Sequence, residues 1–434
     1  MPAAPNASLY NLVVSPERSQ LPDGVQDRLL VEAVRRRQSE AALSDCFARW
    51  GYQEVIPPSF EYYENLAVGA GSALQQSMYR FFDRRGRTLA LRADFTPQVA
   101  RLAATKLFDQ PMPLRCFYVG SLFRYEEPQA GRTCEFTQAG VELIGADTPA
   151  ADAEIVALAI AALETLQLDD FQINLGQMAF FQTLTEGLPL AALDPIREAV
   201  DQKNGARLIE ALDRAGLSGR GYDLLRGLPD LVGGAEVLDE ASSLSSQLPQ
   251  AARAGAALER LAQVYELLRR YGAANRVILD LSEVRGMDYY TGITMRGVAH
   301  GLGWPLVSGG RYDDLIAQFG RPMAAVGFGL GIERALLVQK HRTAPSPAAH
   351  VLVHCCDHPG CLAMVQRLRQ AGCRVETDVL DTGEASLAGH ARRRGVPRTL
   401  RCSGAAWLLA DGSGERTLSE AALLEEAKAW PSNL

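Results

Sequence analysis

The residue types with the most evident chemistry lie late in the chain, where His354, Cys355, Cys356, His358 and Cys361 offer nitrogen and sulfur donors within eight positions. These are zinc-ligand types, but their spacing matches no common zinc module, and no second Cys or His pair lies close in sequence. His354, Cys355 and Cys356 continue the apolar run of residues 351–353, so they read as the end of a buried strand and no metal is assigned. A second set is spread through the first three quarters of the chain: Arg124, Arg285 and Arg334 beside Asp94, Glu126, Glu142 and Asp288. Planar guanidinium groups make bidentate contacts to phosphate that lysine cannot. The competing role is internal pairing, Arg124 with Glu126 and Arg285 with Asp288, with Gly309 and Gly310 permitting a tight turn.

The bulk properties limit what such groups can serve. At 434 residues the chain is long enough for two or three domains, and 47% hydrophobic against 22% charged residues is a globular composition. A formal charge of −7 gives no broad field that attracts a polyanion. No apolar run approaches the ~20 residues that span a bilayer, and the first residues lack a signal-peptide pattern. A cytoplasmic protein is expected. Eight cysteines are too dilute for a disulfide scaffold, and a reducing compartment keeps them as thiols.

Elements that would position the second set can be read from periodicity and punctuation. Apolar residues at helical spacing over 25–50 (Leu29, Leu30, Ala33, Ala42, Leu43, Phe47) predict an amphipathic helix stopped by Gly51. A short strand over 54–56 runs into Pro57 and Pro58, and 78–83 with 88–92 form a hairpin. Thr96–Pro97 and Thr148–Pro149 each read as an N-cap followed by proline at the first helical position. Residues 115–125 and 136–144 form a long hairpin, and 171–175 another strand. From about 178 to 275 the pattern is helical, with breaks at 216–221 and at Gly233–Gly234, the latter read as an interhelical turn. Strands resume at 277–281, 289–296 and 305–307, followed by the glycine run at 327, 329 and 331. Residues 341–350 read as a linker, and strands and helices alternate beyond it as a small α/β unit.

Four peptides, in order, carry a resemblance. The hairpin with Phe123, Arg124, Tyr125, Glu126, Gly131, Arg132, Gln138 and Glu142 resembles motif 2 of the class II aminoacyl-tRNA synthetases. Residues 327–334 (GFGLGIER) resemble their motif 3. Residues 285–290 (RGMDYY) and 309–313 (GGRYD) are similar to two peptides peculiar to histidyl-tRNA synthetase. The resemblance implies an α+β fold: a class II synthetase-like antiparallel sheet flanked by helices, with a helical insertion and a small C-terminal α/β domain. The expected boundaries are 1–177 and 276–340 for the two parts of the core, 178–275 for the insertion, 341–350 for the linker and 351–434 for a domain like a degenerate anticodon-binding domain. It also implies a histidine-like pocket of Asp94, Thr96, Gln138, Glu142, Arg285, Tyr290 and Tyr312, and a nucleotide-like pocket of Arg124, Glu126, Arg132, Phe136 and Arg334.

This chain departs from the synthetases at informative places. They usually show Arg-Pro-Glu-Gly-Thr where it has Arg92-Ala93-Asp94-Phe95-Thr96, so a shorter acid and a bulky ring alter the ammonium site. A second arginine of motif 2 is replaced by Cys134, and an acid after RGMDYY is replaced by Arg296. The peptides at 91–101, 228–238 and 287–313 instead resemble the regulatory subunits of ATP phosphoribosyltransferase, paralogues of the synthetase. That resemblance implies no catalytic residue and no cofactor. It further implies a partnership with the short-form catalytic subunit in a hetero-octamer, a homodimeric core built on the 25–50 helix and the following strand, and histidine as an effector in the first step of histidine biosynthesis. Binding of tRNA is not expected. From Val351 onward, ten basic residues face ten acidic ones, and Arg392–Arg394 read as a solvated helix end. The alternative is a histidyl-tRNA synthetase.

Overall fold

The computed structural model describes residues 20–126, 133–284, 289–339, 349–356, 358, 360–380, 384–404 and 406–430. The chain divides into two compact units, 1–342 and 343–434.

Helix α1, Leu30–Arg49, opens the first unit and stops at Gly51, whose φ of +84° is the left-handed conformation that suits glycine. It buries Leu43, Cys46 and Phe47 on the sheet, whereas Leu29, Leu30, Val31 and Val34 at its start stay exposed. Strand β1, Gln53–Glu54, pairs parallel to the later β5, so the strand expected over 54–56 lies slightly earlier. Strands β2 (Phe60–Tyr62), β3 (Arg80–Phe82) and β4 (Thr88–Leu91) form a small antiparallel sheet, and α2 is Thr96–Thr105. The expected Thr96 cap is not made. The hydroxyl of Thr96 is turned to Glu142 instead, and Phe95 occupies the cap position with no side-chain bond.

Strands β5 (Leu114–Phe123) and β6 (Glu135–Ile144) pair over their full length as the long hairpin. Helix α3, Pro149–Thr165, begins with the expected cap: Thr148 Oγ1 accepts from Ala151 N–H at 3.2 Å. It is apolar all round and buried on most sides. Strand β7, Phe171–Gln177, leads into a helical stretch that includes α4 (Leu190–Asp201) and α5 (Ala251–Arg270). This stretch shares one apolar core with the sheet: Ile196, Leu208, Leu225 and Leu261 join Leu163, Leu175 and Phe328. Gly233 is not in an interhelical turn. Val232–Gly233 form strand β8, paired with β9 (Val277–Asp280) at the sheet edge, because Val232 and Gly233 find ladder partners in Asp280 and Leu279.

Strands β10 (Ile293–Ala299), β11 (Val307–Arg311) and β12 (Ala325–Gly331) complete a nine-stranded sheet of order β1-β5-β6-β12-β11-β10-β7-β9-β8, and α6 (Ile332–Val338) follows β12. Gly309 and Gly310 lie inside β11, not in a turn. A Cβ on Gly310 would come 2.5 Å from the carbonyl oxygen of Ile293 and one on Gly309 closer still to that of Gly327, so glycine is what lets the three strands approach. Strand β10 begins later than expected, so Tyr289 and Tyr290 precede it, and Thr291 N–H donates to the Arg311 carbonyl of β11 at 2.8 Å. 

The second unit is a five-stranded sheet: β13 (Val351–His354), β14 (Val375–Thr377) and β15 (Thr399–Ser403) are parallel, and β16 (Ala406–Asp411) and β17 (Gly414–Leu418) continue antiparallel. Strand β13 ends at His354, so Cys355 and Cys356, expected to continue it as buried residues, lie beyond it, and Cys356 is exposed.

Candidate functional site

The glycines of β12 make room for side chains of β6. In the antiparallel register Gly327 lies opposite Glu142, Gly329 opposite Gly140 and Gly331 opposite Gln138. A Cβ on Gly327 would collide with the Glu142 carboxylate, and one on Gly329 with the Gln138 amide. The two polar side chains therefore lie across the glycine strand and face a cavity of about 750 Å³.

Glu142 is 1% exposed and sits at the centre of a hydroxyl shell. Thr96 Oγ1 donates to Oε1 at 2.9 Å, Tyr118 OH approaches the same oxygen at 3.3 Å, and Tyr312 OH donates to Oε2. Burial, reinforced by the nearby charge of Asp94, pushes the Glu142 carboxyl up to about 8, against the opposing pull of the hydroxyls. Asp94 is also buried, and burial raises it too, opposed by Arg124, by the backbone N–H groups of Thr96 and Phe95, and by Tyr289 OH at 3.3 Å. The rings of Tyr290 and Tyr312 meet Tyr289 edge-on, at 5.1 and 5.6 Å between centroids. Gln138 Oε1 is buried without a hydrogen-bond partner among the described residues. Two buried acids ringed by phenols select a compact cation that carries hydrogen-bond donors.

The other end of the cavity holds Arg124, Glu126, Phe136 and Arg334. Arg124 Nε donates to the Ala93 carbonyl at 2.8 Å and its guanidinium lies 5.3 Å from the Phe136 ring centre, so the expected alternative of pairing with Glu126 is not what positions it. Arg334 Nη1 donates to Pro305 O at 3.0 Å. The neighbouring Glu333 grips Thr137, accepting from its N–H at 2.8 Å and its hydroxyl at 3.0 Å, which fixes α6 to β6.

Asp94, Thr96, Gln138, Glu142, Tyr290, Tyr312, Arg124, Glu126, Phe136 and Arg334 thus all line one cavity. Arg132 and Arg285 lie outside the described residues. Phe95 does not line it: the ring is 1% exposed, stacked on Tyr118 at 4.2 Å and capped by the Arg92 guanidinium at 4.3 Å, so it shapes the site from behind. Cys134 is buried, its N–H donating to Gly24 O at 2.7 Å, and lines no part of the cavity. Arg296 is absorbed into ion pairs with Asp201 and Glu283, both at 2.7 Å, which tie α4 to β10 at the cavity wall.

The sequence reading missed Tyr118, Tyr289 and Glu283. For Tyr118 a signal existed in the strand period: it lies opposite Gly140, where any Cβ would strike its hydroxyl. Tyr289 had a signal of another kind, its place beside Tyr290 in the RGMDYY peptide, whereas Glu283 had none. Among the described residues, no three His, Cys, Asp or Glu side chains converge on a metal-sized site.

The fold and cavity place the chain in a defined class: the histidyl-tRNA synthetase family model matches residues 24–335. A solved histidyl-tRNA synthetase from Nostoc sp. PCC 7120 superposes with a TM-score of 0.78 at 23% identity, over 94% of this chain and 99% of that one, a likeness of fold. A regulatory subunit/histidyl-tRNA synthetase structure from Bacillus halodurans reaches the same TM-score at 30% identity, covering 88% of this chain and 98% of its own. Curated ATP phosphoribosyltransferase regulatory subunits from Symbiobacterium thermophilum (42% identical, 88% of this chain and 97% of the relative) and Moorella thermoacetica (41%, 87% and 96%) narrow the class. The chain belongs to the ATP phosphoribosyltransferase regulatory subunits, histidyl-tRNA synthetase-like proteins. No helix of the described residues is long and apolar enough to cross a membrane.

Proposed function

We propose that the chain is a non-catalytic subunit that activates a short-form ATP phosphoribosyltransferase catalytic chain and makes it sensitive to histidine. On this reading the cavity is a sensor: the ammonium of histidine sits against Asp94 and Glu142, its carboxylate or imidazole against Gln138 and the tyrosines. The observation that carries the reading is this buried acid pair in a member of the regulatory-subunit family, with the cation-subtracting Cys134 sealed in the core beside the nucleotide end. A homodimeric core fits the exposed apolar start of α1, where Leu29, Leu30, Val31 and Val34 are exposed and Leu29 and Val31 share a cavity wall with exposed Leu337 of α6.

The C-terminal unit supports the same choice over a synthetase. Tight RNA binding rests on free cations, yet Arg394 pairs with Glu376, Arg416 with Asp411 and Glu426, and Lys428 with Glu425. Mixing the purified chain with a short-form catalytic subunit, and assaying phosphoribosyl transfer and histidine tRNA charging in parallel, separates the readings. Activation with histidine inhibition and no charging is expected; charging without activation reverses the assignment.

A further inference from the structure

Glu283 is an acid of the cavity to which the proposed function gives no role. Gly176, Thr294, Gly310, Gly327 and Glu142 lie abreast on strands β7, β10, β11, β12 and β6, so this row faces one side of the sheet. Its glycines make room for what lies over them. A Cβ on Gly327 would strike the Glu142 carboxylate, one on Gly310 would come 2.9 Å from the Tyr290 ring, and one on Gly176 2.8 Å from Glu283 Cβ. Glu142 and Glu283 therefore stand at the two ends of one glycine floor, over Gly327 and Gly176, which are three strands or roughly 14 Å apart. Glu283 is also short of positive charge. Its side chain is 5% exposed, and among the described residues its one ion-pair partner is Arg296 Nη2 at 2.7 Å. The same nitrogen holds Asp201 at 2.7 Å. Burial first, and then the charges of Asp201 and Asp280 against the pull of Arg296, pushes the Glu283 carboxyl up to about 8. Asp201 is the last residue of α4, and Arg197, one turn earlier on the same helix face, itself lines the cavity. Lys203 follows with a φ of +50° and pairs with Asp280 of β9 at 3.0 Å, so the end of α4 is fastened twice to the cavity wall.

We propose that Glu283 binds a protonated nitrogen of the cavity ligand and, through Arg296, ties occupancy of the cavity to the end of α4. This rests on the reading that the cavity takes histidine. With the ammonium on Asp94 and Glu142, the rest of the ligand runs along the glycine floor toward Glu283. A nitrogen that donates there supplies the positive charge that the shared guanidinium gives only in part. Arg296 then serves Asp201 more fully, and the inserted segment is held harder against the sheet. The coupling is a difference in contacts between the filled and the empty cavity, and it acts in both directions.

The test titrates histidine into the full-length chain by calorimetry and follows hydrogen exchange over residues 190–203 with and without it. The parent is expected to bind histidine and to exchange more slowly there when loaded. Glu283→Gln is expected to bind about tenfold more weakly, the loss of one charge-assisted hydrogen bond. It should melt no lower than the parent, since a buried charge is removed and Arg296 keeps Asp201. Asp201→Asn leaves every cavity-lining side chain in place, and is expected to bind histidine without slowing exchange over 190–203. Parent-like affinity in Glu283→Gln, or unchanged exchange in the loaded parent, overturns the proposal and leaves the histidine sensor standing. A parent that binds no histidine overturns both. Should Glu283→Gln fold poorly, the exchange arm decides, because slowing that survives in Asp201→Asn also overturns the proposal.

Discussion

Glu142 holds its proton far above the pH at which an unfolded carboxyl releases it, from an ordinary value of 4.5 up to about 8. Between those values the folded chain binds more protons than the unfolded one, so stability falls as pH rises, by about 1.4 kcal/mol per pH unit at most from this group. Glu142→Gln should flatten that part of the profile, seen as a smaller change in melting temperature between pH 5 and 8. Glu283 shifts in the same direction, up to about 8, and remains in the variant, so the difference between the two proteins isolates Glu142. A ligand ammonium favours the ionised carboxylate. Histidine binding near pH 7 should therefore release up to about one more proton in the parent than in Glu142→Gln, measured by calorimetry in buffers of different ionisation heat. Equal release by the two proteins would place the ammonium elsewhere. Gly327→Ala pushes a methyl group into Glu142 and to 2.5 Å from Val141 O, and should cost roughly 1–3 kcal/mol and abolish histidine binding.

At the scale of elements, the frame behind the site is pinned by Asp152 on α3. Its carboxylate, fully buried, takes Arg311 Nε from β11 at 2.8 Å and Arg260 Nε from α5 at 2.8 Å. One acid thus joins a helix of the core, a strand of the site and a helix of the inserted segment. Replacing Arg311 by Leu leaves that buried charge half-compensated, and a loss of about 3–5 kcal/mol in denaturant unfolding is expected. Arg296 performs a lesser version of the same task between α4 and β10.

For the whole molecule, dimerisation through the exposed apolar start of α1 predicts a sedimentation coefficient of a dimer at micromolar concentration. Leu30→Glu with Val34→Glu should shift it to monomer, because like charges would face each other across an isologous contact. A parent chain that sediments as a monomer counts against this interface. Charging of histidine tRNA should be absent, well below the roughly 1–10³ s⁻¹ of ordinary enzymes.

Local rules decided much of this chain in advance. The strand-like runs over 115–125 and 136–144, joined by a polar loop, read as a hairpin, Thr148–Pro149 had no tertiary competitor for its cap, and Gly51 ended α1 because few other residues accept its φ. Motif order placed Asp94, Gln138, Glu142 and Tyr312 around one cavity. Where two interactions compete for one group, the sequence is silent and packing chooses. Thr96 could cap α2 or serve Glu142, and the buried carboxylate wins because an unsatisfied acid in the core costs more than an unmade cap. Gly233 could turn or pair, and the open edge of β9 decided for pairing. Phe95 could block the pocket or back it, and the Tyr118 ring drew it behind. Each of these outcomes depends on a partner distant in sequence, which only the assembled sheet brings within reach.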